Sequence, residues 1–382
     1  MKKNDFWYLI TMFTLWRVYL FLVALSATKM IPLQQNFLGG GMSNYQSAPW
    51  IWGWANFDGE HFLSIARYGY KPLQFFYFPV YPLVVRKISY FLGSGVDGFL
   101  FSGILSSNLA FFLGLIGFWK LIEIDYGKNI TRLSVLLLLI FPTSFYFGSF
   151  YSEALFLCLS VWAFYFARKK KWFVAVVLAS IASATRVIGI ILLPALAWEM
   201  LSQNKSTGKI INCKLLFLLI IPVGLLIYMR YLYFRTGDYL EFLHSVEIFG
   251  SQRSSSFIVL PQVFYRYFFK ILPSLNHSIS PVIFTTYLEL FSAIFFLTLC
   301  VLGWWKIRRS YWLFMASGYL LPTLSGSFSS MPRYVSVLFP GFILLAQYNC
   351  RIPLLMQKLL IILLLVGLAI TSGLFIRGYW IA

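Results

Sequence analysis

Residues 57–62 read Phe-Asp-Gly-Glu-His-Phe and place two carboxylates and an imidazole within four positions. A carboxylate beside a membrane-embedded cavity can take the proton of an attacking hydroxyl, which would make Asp58 a general base and Glu60 and His61 substrate contacts. The local alternative is that Asp58 caps a short helix that runs to Tyr68 and is closed by Gly69. Both interpretations stand on the residues alone.

Two arginines and a tyrosine could recognise phosphate. Arg186 follows the small residues 182–185, and Arg333 precedes Tyr334 after the polar stretch 327–332. A guanidinium matches a pair of phosphate oxygens, and a lipid-linked phosphate arrives at the membrane boundary. The alternative is that each side chain extends along the apolar surface until its charge reaches water.

The remaining candidates for substrate contact are acidic or basic residues in polar stretches. Glu153 begins an apolar run, where a carboxylate also complements a helix dipole. The polar stretch from Asp238 through His244 to Arg253 has helical spacing in its first half and forms either a solvated face or one wall of a cleft. No spacing of His, Cys, Asp or Glu requires a metal ion, and the sequence indicates no cofactor. These acidic residues are nevertheless compatible with binding of a divalent metal ion.

The composition identifies the solvent of this chain. Of its 382 residues 60% are hydrophobic and only 11% are charged, whereas soluble domains carry roughly 25% charged residues. The chain therefore contacts membrane lipids, and we predict one integral-membrane unit over 1–382. The net charge of +19 arises because acidic residues are scarce, while the basic residues cluster in short loops. Basic loops of this kind set the orientation of a protein in the membrane, so we expect no nucleic-acid partner.

Apolar segments of bilayer length recur along the chain, and charge bias sets their number. The stretch 172–201 fits either one helix or two that turn at Thr185-Arg186. Two helices place every short basic loop on one side, which favours about eleven transmembrane helices with the long segments 27–98 and 235–281 on the non-cytoplasmic side. All the candidate residues above then share that face, whereas scattered polar insertions would divide between the two.

The segment 75–92 is expected to hold an amphipathic helix. Val84, Val85, Ile88, Phe91 and Leu92 fall on one helical face, which is typical of a helix in the membrane interface. A membrane-spanning helix there is the alternative, and it would invert the later topology.

Several ordered motifs resemble the GPI mannosyltransferase II family and its bacterial relatives. They are Trp54–Phe62, Ile65–Tyr70, Phe76–Leu83, Phe141–Thr143, Tyr151–Phe156, Ala182–Arg186 and, in the later part of the chain where the resemblance is weaker, Arg333-Tyr334. One departure is Phe57, which stands where that family usually has Trp.

The resemblance implies an all-α, C-type (GT-C) glycosyltransferase bundle that inverts the anomeric carbon. By that analogy Asp58 is the catalytic base, and Arg186 and Arg333, with Tyr334, bind the departing phosphate. The implied partners are a polyprenyl-phosphate-linked sugar donor, with mannose as the expected hexose, and a lipid or glycan acceptor. A lipid or solute transporter, or a flippase without transferase activity, is the alternative. The expected location is a bacterial plasma membrane with the site facing outward, or a lumenal site in the ER.

Overall fold

The computed structural model describes residues 2–205, 213–245, 256–275 and 280–381. These ranges contain helices and no β-strand, so the expected all-α class is confirmed. The α-helices are, in chain order, α1 Lys3–Met30, α2 Gly41–Ser47, α3 Pro49–Trp52, α4 Asp58–Tyr68, α5 Val80–Leu92, α6 Val96–Ile122, α7 Lys128–Leu139, α8 Glu153–Arg168, α9 Trp172–Ser183, α10 Leu192–Lys205, α11 Val223–Thr236, α12 Glu241–His244, α13 Leu260–Arg266, α14 Ser280–Lys306, α15 Arg309–Thr323, α16 Met331–Ser336, α17 Phe339–Asn349 and α18 Leu354–Ile376. Single 3₁₀ segments occupy Gly53–Ala55, Ser144–Gly148, Val187–Ile191 and Cys213–Ile220, and a π-helical turn occupies Tyr267–Ile271.

Six helical segments are long and apolar enough to cross a bilayer: Lys3–Met30, Val96–Ile122, Val187–Asn204, Leu215–Thr236, Ser280–Lys306 and Leu354–Ile376. Further helices lie between these segments, among them α7, α8, the shorter apolar helix α9, α15 and the consecutive pair α16 and α17. The chain is therefore a polytopic membrane protein, and a total of about eleven membrane-spanning helices stays a prediction.

The long helices run between two ends of the bundle, which we call the Asp58 end and the Glu199 end. Residues 31–95, with α2 to α5, lie together at the Asp58 end. At the Glu199 end, the buried Glu199 accepts hydrogen bonds from Arg308 Nε at 2.6 Å and Ser310 Oγ at 2.7 Å, and Arg168 joins Glu199 to Asp125. This network ties α8, α10 and α15 together.

The core of the bundle depends on close approach of α6 and α8. An added Cβ at Gly117 would lie 2.8 Å from Trp162 Nε1, and one at Gly114 would lie 3.3 Å from Cys158 Cα. Small residues of this kind allow membrane helices to pack closely, because lipid supplies no hydrophobic drive for helix association.

The stretch 172–201 contains the predicted break. Helix α9 ends at Ser183, Arg186 is extended, and a 3₁₀ segment leads into α10. Two other apolar segments, 132–148 and 334–349, are interrupted as well. Helix α7 ends at Leu139 before Pro142, whose ring and missing N–H oppose a helix, and α17 begins anew with Pro340 in its first turn.

Helix α5 forms as predicted, but its expected apolar face is divided. Tyr81, Val85 and Ser89 are buried, whereas Phe91 is 89% exposed. The Tyr81 hydroxyl fixes the buried face to α6, since it donates to Gly103 O at 3.1 Å and lies 2.8 Å from Ser107 Oγ.

Candidate active site

A cavity of about 300 Å³ opens at the Asp58 end. Its polar lining brings together five of the residues singled out in the sequence: Asp58, Glu153, Arg186, Arg333 and Tyr334. The rest of the wall is mainly apolar and comes from the segments around Phe62, Phe76–Phe78, Val187-Ile188, Phe242-Leu243 and Leu321–Leu324. Helices far apart in sequence thus supply one polar cluster inside an apolar chamber.

Asp58 is the first residue of α4, and its carboxylate makes no capping bond to that helix. Instead Arg333 Nη1 donates to Asp58 Oδ2 at 2.5 Å, and the Tyr77 hydroxyl donates to Asp58 Oδ1 at 3.1 Å. The capping interpretation is therefore wrong. Only 14% of the Asp58 side chain and 4% of the Arg333 side chain are exposed, so this ion pair lies largely out of water.

The state of Asp58 follows from two opposing effects. Burial raises the pKa of its carboxyl, but the Arg333 charge and hydrogen bond, with His61 and Tyr77, bring the pKa below its usual value. The same carboxylate, together with burial, raises the pKa of Tyr77, so this hydroxyl remains a donor at neutral pH. Asp58 is thus held as a carboxylate.

The backbone before Asp58 is strained. Phe57 has φ of +58° and ψ of −118°, a conformation that non-glycine residues seldom adopt. Its ring packs against Phe37, Phe375 and Trp380, and its N–H donates to Phe37 O at 2.9 Å. This ring is absent from the cavity lining among the described residues, so Phe57 contributes packing next to Asp58 rather than a wall of the cavity.

A second ion pair lies beside the first. Arg186 Nη1 donates to Glu153 Oε1 and lies 3.4 Å from Ser152 Oγ, and the same Glu153 oxygen is 3.4 Å from Arg333 Nε. Glu153 is 1% exposed, and its Oε2 is buried with no hydrogen-bond partner among the described residues. Glu153 therefore links the two guanidinium groups and keeps one oxygen available.

Aromatic rings surround both guanidinium groups. The guanidinium groups of Arg186 and Arg333 each lie 5.6 Å from the centre of the Tyr334 ring. The Arg333 guanidinium also lies 5.5 to 5.8 Å from the ring centres of Tyr146, Tyr151 and Trp380. These contacts stabilise cations without neutralising their charge.

The loop before Arg333 is anchored by Glu289 of α14. Glu289 accepts hydrogen bonds from Tyr267 OH at 3.0 Å and from the Ser330 N–H at 3.1 Å, and the Phe328 N–H donates to Tyr267 OH at 3.2 Å. Ser330 has a positive φ of 66° and directly precedes α16, which carries Arg333. This anchoring fixes the position from which Arg333 reaches Asp58.

Glu60 and His61 lie next to the cavity and do not line it among the described residues. The His61 ring stacks on Tyr77 with centroids 4.9 Å apart, so it contacts the residue that donates to Asp58. Burial lowers the pKa of His61 despite the opposing effect of Asp58, and burial raises the pKa of Glu60.

The predicted residues of the 238–253 stretch are not brought into the cluster. Asp238 Oδ2 lies 2.5 Å from His244 Nδ1, and both side chains are substantially exposed. Helix α12 spans only Glu241–His244 and presents Phe242 and Leu243 to the cavity instead. Arg253 lies outside the described residues.

Arg17, a cation within the helix α1, faces protein. Its Nη1 lies 3.5 Å from Gly148 O, and its guanidinium lies 5.6 Å and 5.7 Å from the Trp16 and Trp54 rings. Within the described ranges no three His, Cys, Asp or Glu side chains group as metal ligands would.

Sequence reasoning missed Tyr77 and Trp380. Tyr77 lies inside a family motif, between Phe76 and Phe78, and its neighbours gave no sign of a hydrogen bond to Asp58. Trp380 follows α18, and its ring contacts Arg333 and Phe57 only because of the tertiary packing.

The comparisons with known proteins give one match. No curated protein and no solved structure matches the chain. A family model described as Mannosyltransferase (PIG-V) matches residues 7–261, which is more than half of the chain and includes Asp58, Glu153 and Arg186. The membrane-spanning chain therefore belongs to the mannosyltransferase (PIG-V) family.

Proposed function

We propose that the protein transfers a hexose, expected to be mannose, from a polyprenyl-phosphate donor to an acceptor hydroxyl, with inversion at the anomeric carbon. The reaction would take place in the cavity lined by Asp58, which we call the Asp58 cavity. The observation that carries the proposal is the placement of two carboxylates and two guanidinium groups in a single apolar-walled cavity. The Asp58 carboxylate suits proton removal, and the cations suit a departing phosphate.

The reaction can be written with the residues of this cavity. Asp58 takes the proton of the acceptor hydroxyl as its oxygen bonds to the anomeric carbon. The bond from that carbon to the phosphate oxygen breaks, and the oxygen keeps the electron pair. Arg333 and Arg186, with Tyr334 between them, stabilise the added charge on the phosphate. Attack from the side opposite the leaving group inverts the carbon.

Glu153 and the apolar wall would bind the two parts of the donor. The buried Glu153 Oε2 can accept a hydrogen bond from a sugar hydroxyl. The phenylalanine and leucine side chains around the cavity offer surface to an isoprenoid chain. The acceptor would be a lipid or glycan hydroxyl, and the bundle end with Asp58 would face away from the cytoplasm.

The test is sugar transfer from polyprenyl-phosphate-mannose by the reconstituted protein carrying Asp58→Asn. We expect a fall of about 10²–10⁴-fold, the usual contribution of a general base. Asp238→Asn is the matched control, since it removes an exposed carboxylate outside the cavity and should retain transfer. Donor binding by the folded Asp58→Asn variant separates loss of the base from loss of the fold. Undiminished transfer in that variant would exclude Asp58 as the base.

A further inference from the structure

A second cavity lies at the Asp58 end, where α5 turns into α6. It has a volume of about 340 Å³ and is lined by Arg67, Tyr68, Arg86, Ser89, Tyr90, Ser94 and Phe99. The end of α4, the second half of α5 and the start of α6 form its walls. As far as the structure describes the chain, it shares no lining residue with the Asp58 cavity.

This second cavity is basic. The Arg67 guanidinium lies 4.8 Å from the Tyr68 ring and 5.9 Å from the Phe99 ring, and Lys71 Nζ lies 4.8 Å from the same Tyr68 ring. Arg86 donates from Nε to Ala66 O at 2.6 Å and from Nη2 to Ile65 O at 3.0 Å, which fixes its guanidinium at the end of α4.

The cations of this cavity lack acidic partners in the described parts of the chain. None of the ion pairs there involves Arg67, Lys71 or Arg86. Of the acids near these cations in sequence, neither Glu60 nor Asp97 lines the cavity, and Asp97 is exposed. The cavity therefore has room for an external anion.

The cavity borders one end of a membrane-length helix. Helix α6 is of membrane length and begins at Val96, beside Ser94 and Phe99 of the cavity wall. Its residues Phe101, Leu105 and Leu109 are about half exposed at four-residue spacing, as in a face that meets lipid chains.

The outer side of α5 has the composition of an interfacial helix. Tyr90 is 78% exposed and Phe91 89% exposed, with Leu83 and the exposed Lys87 on the same side. Aromatic rings with lysine between them are typical of the boundary between headgroups and acyl chains.

We propose that this second cavity, which we call the Arg67 cavity, binds the phosphate of an anionic phospholipid headgroup. The Arg67 guanidinium would take two phosphate oxygens, and Lys71 and Arg86 would add positive charge at the cavity edge. The acyl chains would follow the exposed face of α6. The lipid thereby holds the α4–α5 unit against the membrane surface, independently of which sugar donor the Asp58 cavity uses.

The test is native mass spectrometry of the full-length protein in detergent, titrated with phosphatidylglycerol and, separately, with phosphatidylcholine. We expect one phosphatidylglycerol to bind in preference to phosphatidylcholine, and Arg67→Gln to weaken phosphatidylglycerol binding about tenfold, the loss of one charge-assisted contact. Arg67→Lys, which keeps the charge, should show a smaller loss and serves if the Gln variant does not fold.

The matched control is Arg235→Gln, which removes an exposed cation at the last turn of α11. Equal losses for Arg67→Gln and Arg235→Gln, or no loss for Arg67→Gln, would overturn the proposal. The third measurement adds soluble glycerol phosphate as a competitor. If glycerol phosphate displaces phosphatidylglycerol at a concentration equal to that of the lipid, the ligand is a free phosphate and the lipid assignment is overturned. Failure of Asp58→Asn to reduce transfer would leave these outcomes unchanged.

Discussion

At the scale of single residues, the contact between Asp58 and Arg333 couples two proposed roles. A guanidinium that binds phosphate must also leave the carboxylate able to accept a proton. Since the pair lies largely out of water, each partner strongly affects the charge of the other.

The pH profile tests this coupling. Because Arg333 brings the pKa of Asp58 below its usual range, activity should persist as pH falls until it reaches that lowered pKa, under the ordinary Asp value of about 3.9. In Arg333→Gln, burial acts without the cation and raises the pKa of Asp58, so the acid limb of kcat/KM should move to higher pH. The measurement is residual mannosyl transfer across the acid range.

Arg186→Gln is the control for this shift. Arg186 pairs with Glu153 rather than Asp58, so its loss should reduce transfer and leave the acid limb where it is in the unaltered protein. An acid limb that does not move in Arg333→Gln would separate Arg333 from the ionisation of Asp58.

At the scale of elements, the break between α9 and the Val187–Ile191 segment positions Arg186. Gly189 makes that break compact: an added Cβ there would lie 2.5 Å from Ala182 C and Ser183 N. Backbone cannot move aside as a flexible side chain can, so a larger residue at this position must displace one segment from the other.

Gly189→Ala should therefore lower both stability and transfer. We expect a cost of about 1–3 kcal/mol, as for overpacking elsewhere, and a loss of transfer because Arg186 moves with its segment. Thermal unfolding and the transfer assay measure the two effects. Gly95→Ala is the control, since an added Cβ there meets nothing within 4 Å and the residue has φ of −70°. Wild-type behaviour of Gly189→Ala would show that the contact is not limiting.

The sequence predicted the elements better than their contacts. Hydropathy and loop charge predicted an all-helical membrane protein and the turn at Thr185-Arg186, because both signals are local. The hydrogen bond from Arg333 to Asp58 joins residues 275 positions apart, and no local pattern encodes it. The resemblance nominated these two residues separately, whereas Tyr77 and Trp380 needed the packed structure. Asp238 and His244 had suitable chemistry and spacing but pair with each other instead.

At the scale of the whole molecule, the two ends of the bundle differ in what their charges do. At the Glu199 end, acids and bases pair with each other and tie helices together. At the Asp58 end, the pairs line a cavity. Helix α8 joins both ends, with Glu153 at its start and Arg168 at its close, and its 16 residues span about 24 Å at 1.5 Å per residue.

Cysteine labelling from each side of the membrane tests the proposed orientation. In a chain whose 4 native cysteines are replaced by serine, Lys71→Cys and Lys170→Cys introduce exposed thiols at the Asp58 end and the Glu199 end. We expect an impermeant maleimide to label position 71 from outside the cytoplasm and position 170 only from the cytoplasmic side. Labelling of both from one side would contradict the arrangement of passes, and reversed labelling would contradict the orientation.

The cavity of Asp58, Glu153, Arg186 and Arg333 carries two negative and two positive groups, so its formal sum is zero before a donor enters. A donor phosphodiester would bring one negative charge, so the chamber with donor bound would carry one net negative charge. In the proposed reaction the phosphate would gain a further negative charge, and Asp58 would become neutral by taking the acceptor proton. The sum inside the chamber would therefore be the same before and after the reaction. Transfer in this apolar enclosure would move a negative charge from Asp58 to the phosphate, without the electrostatic cost of creating an additional ion in a low-dielectric space.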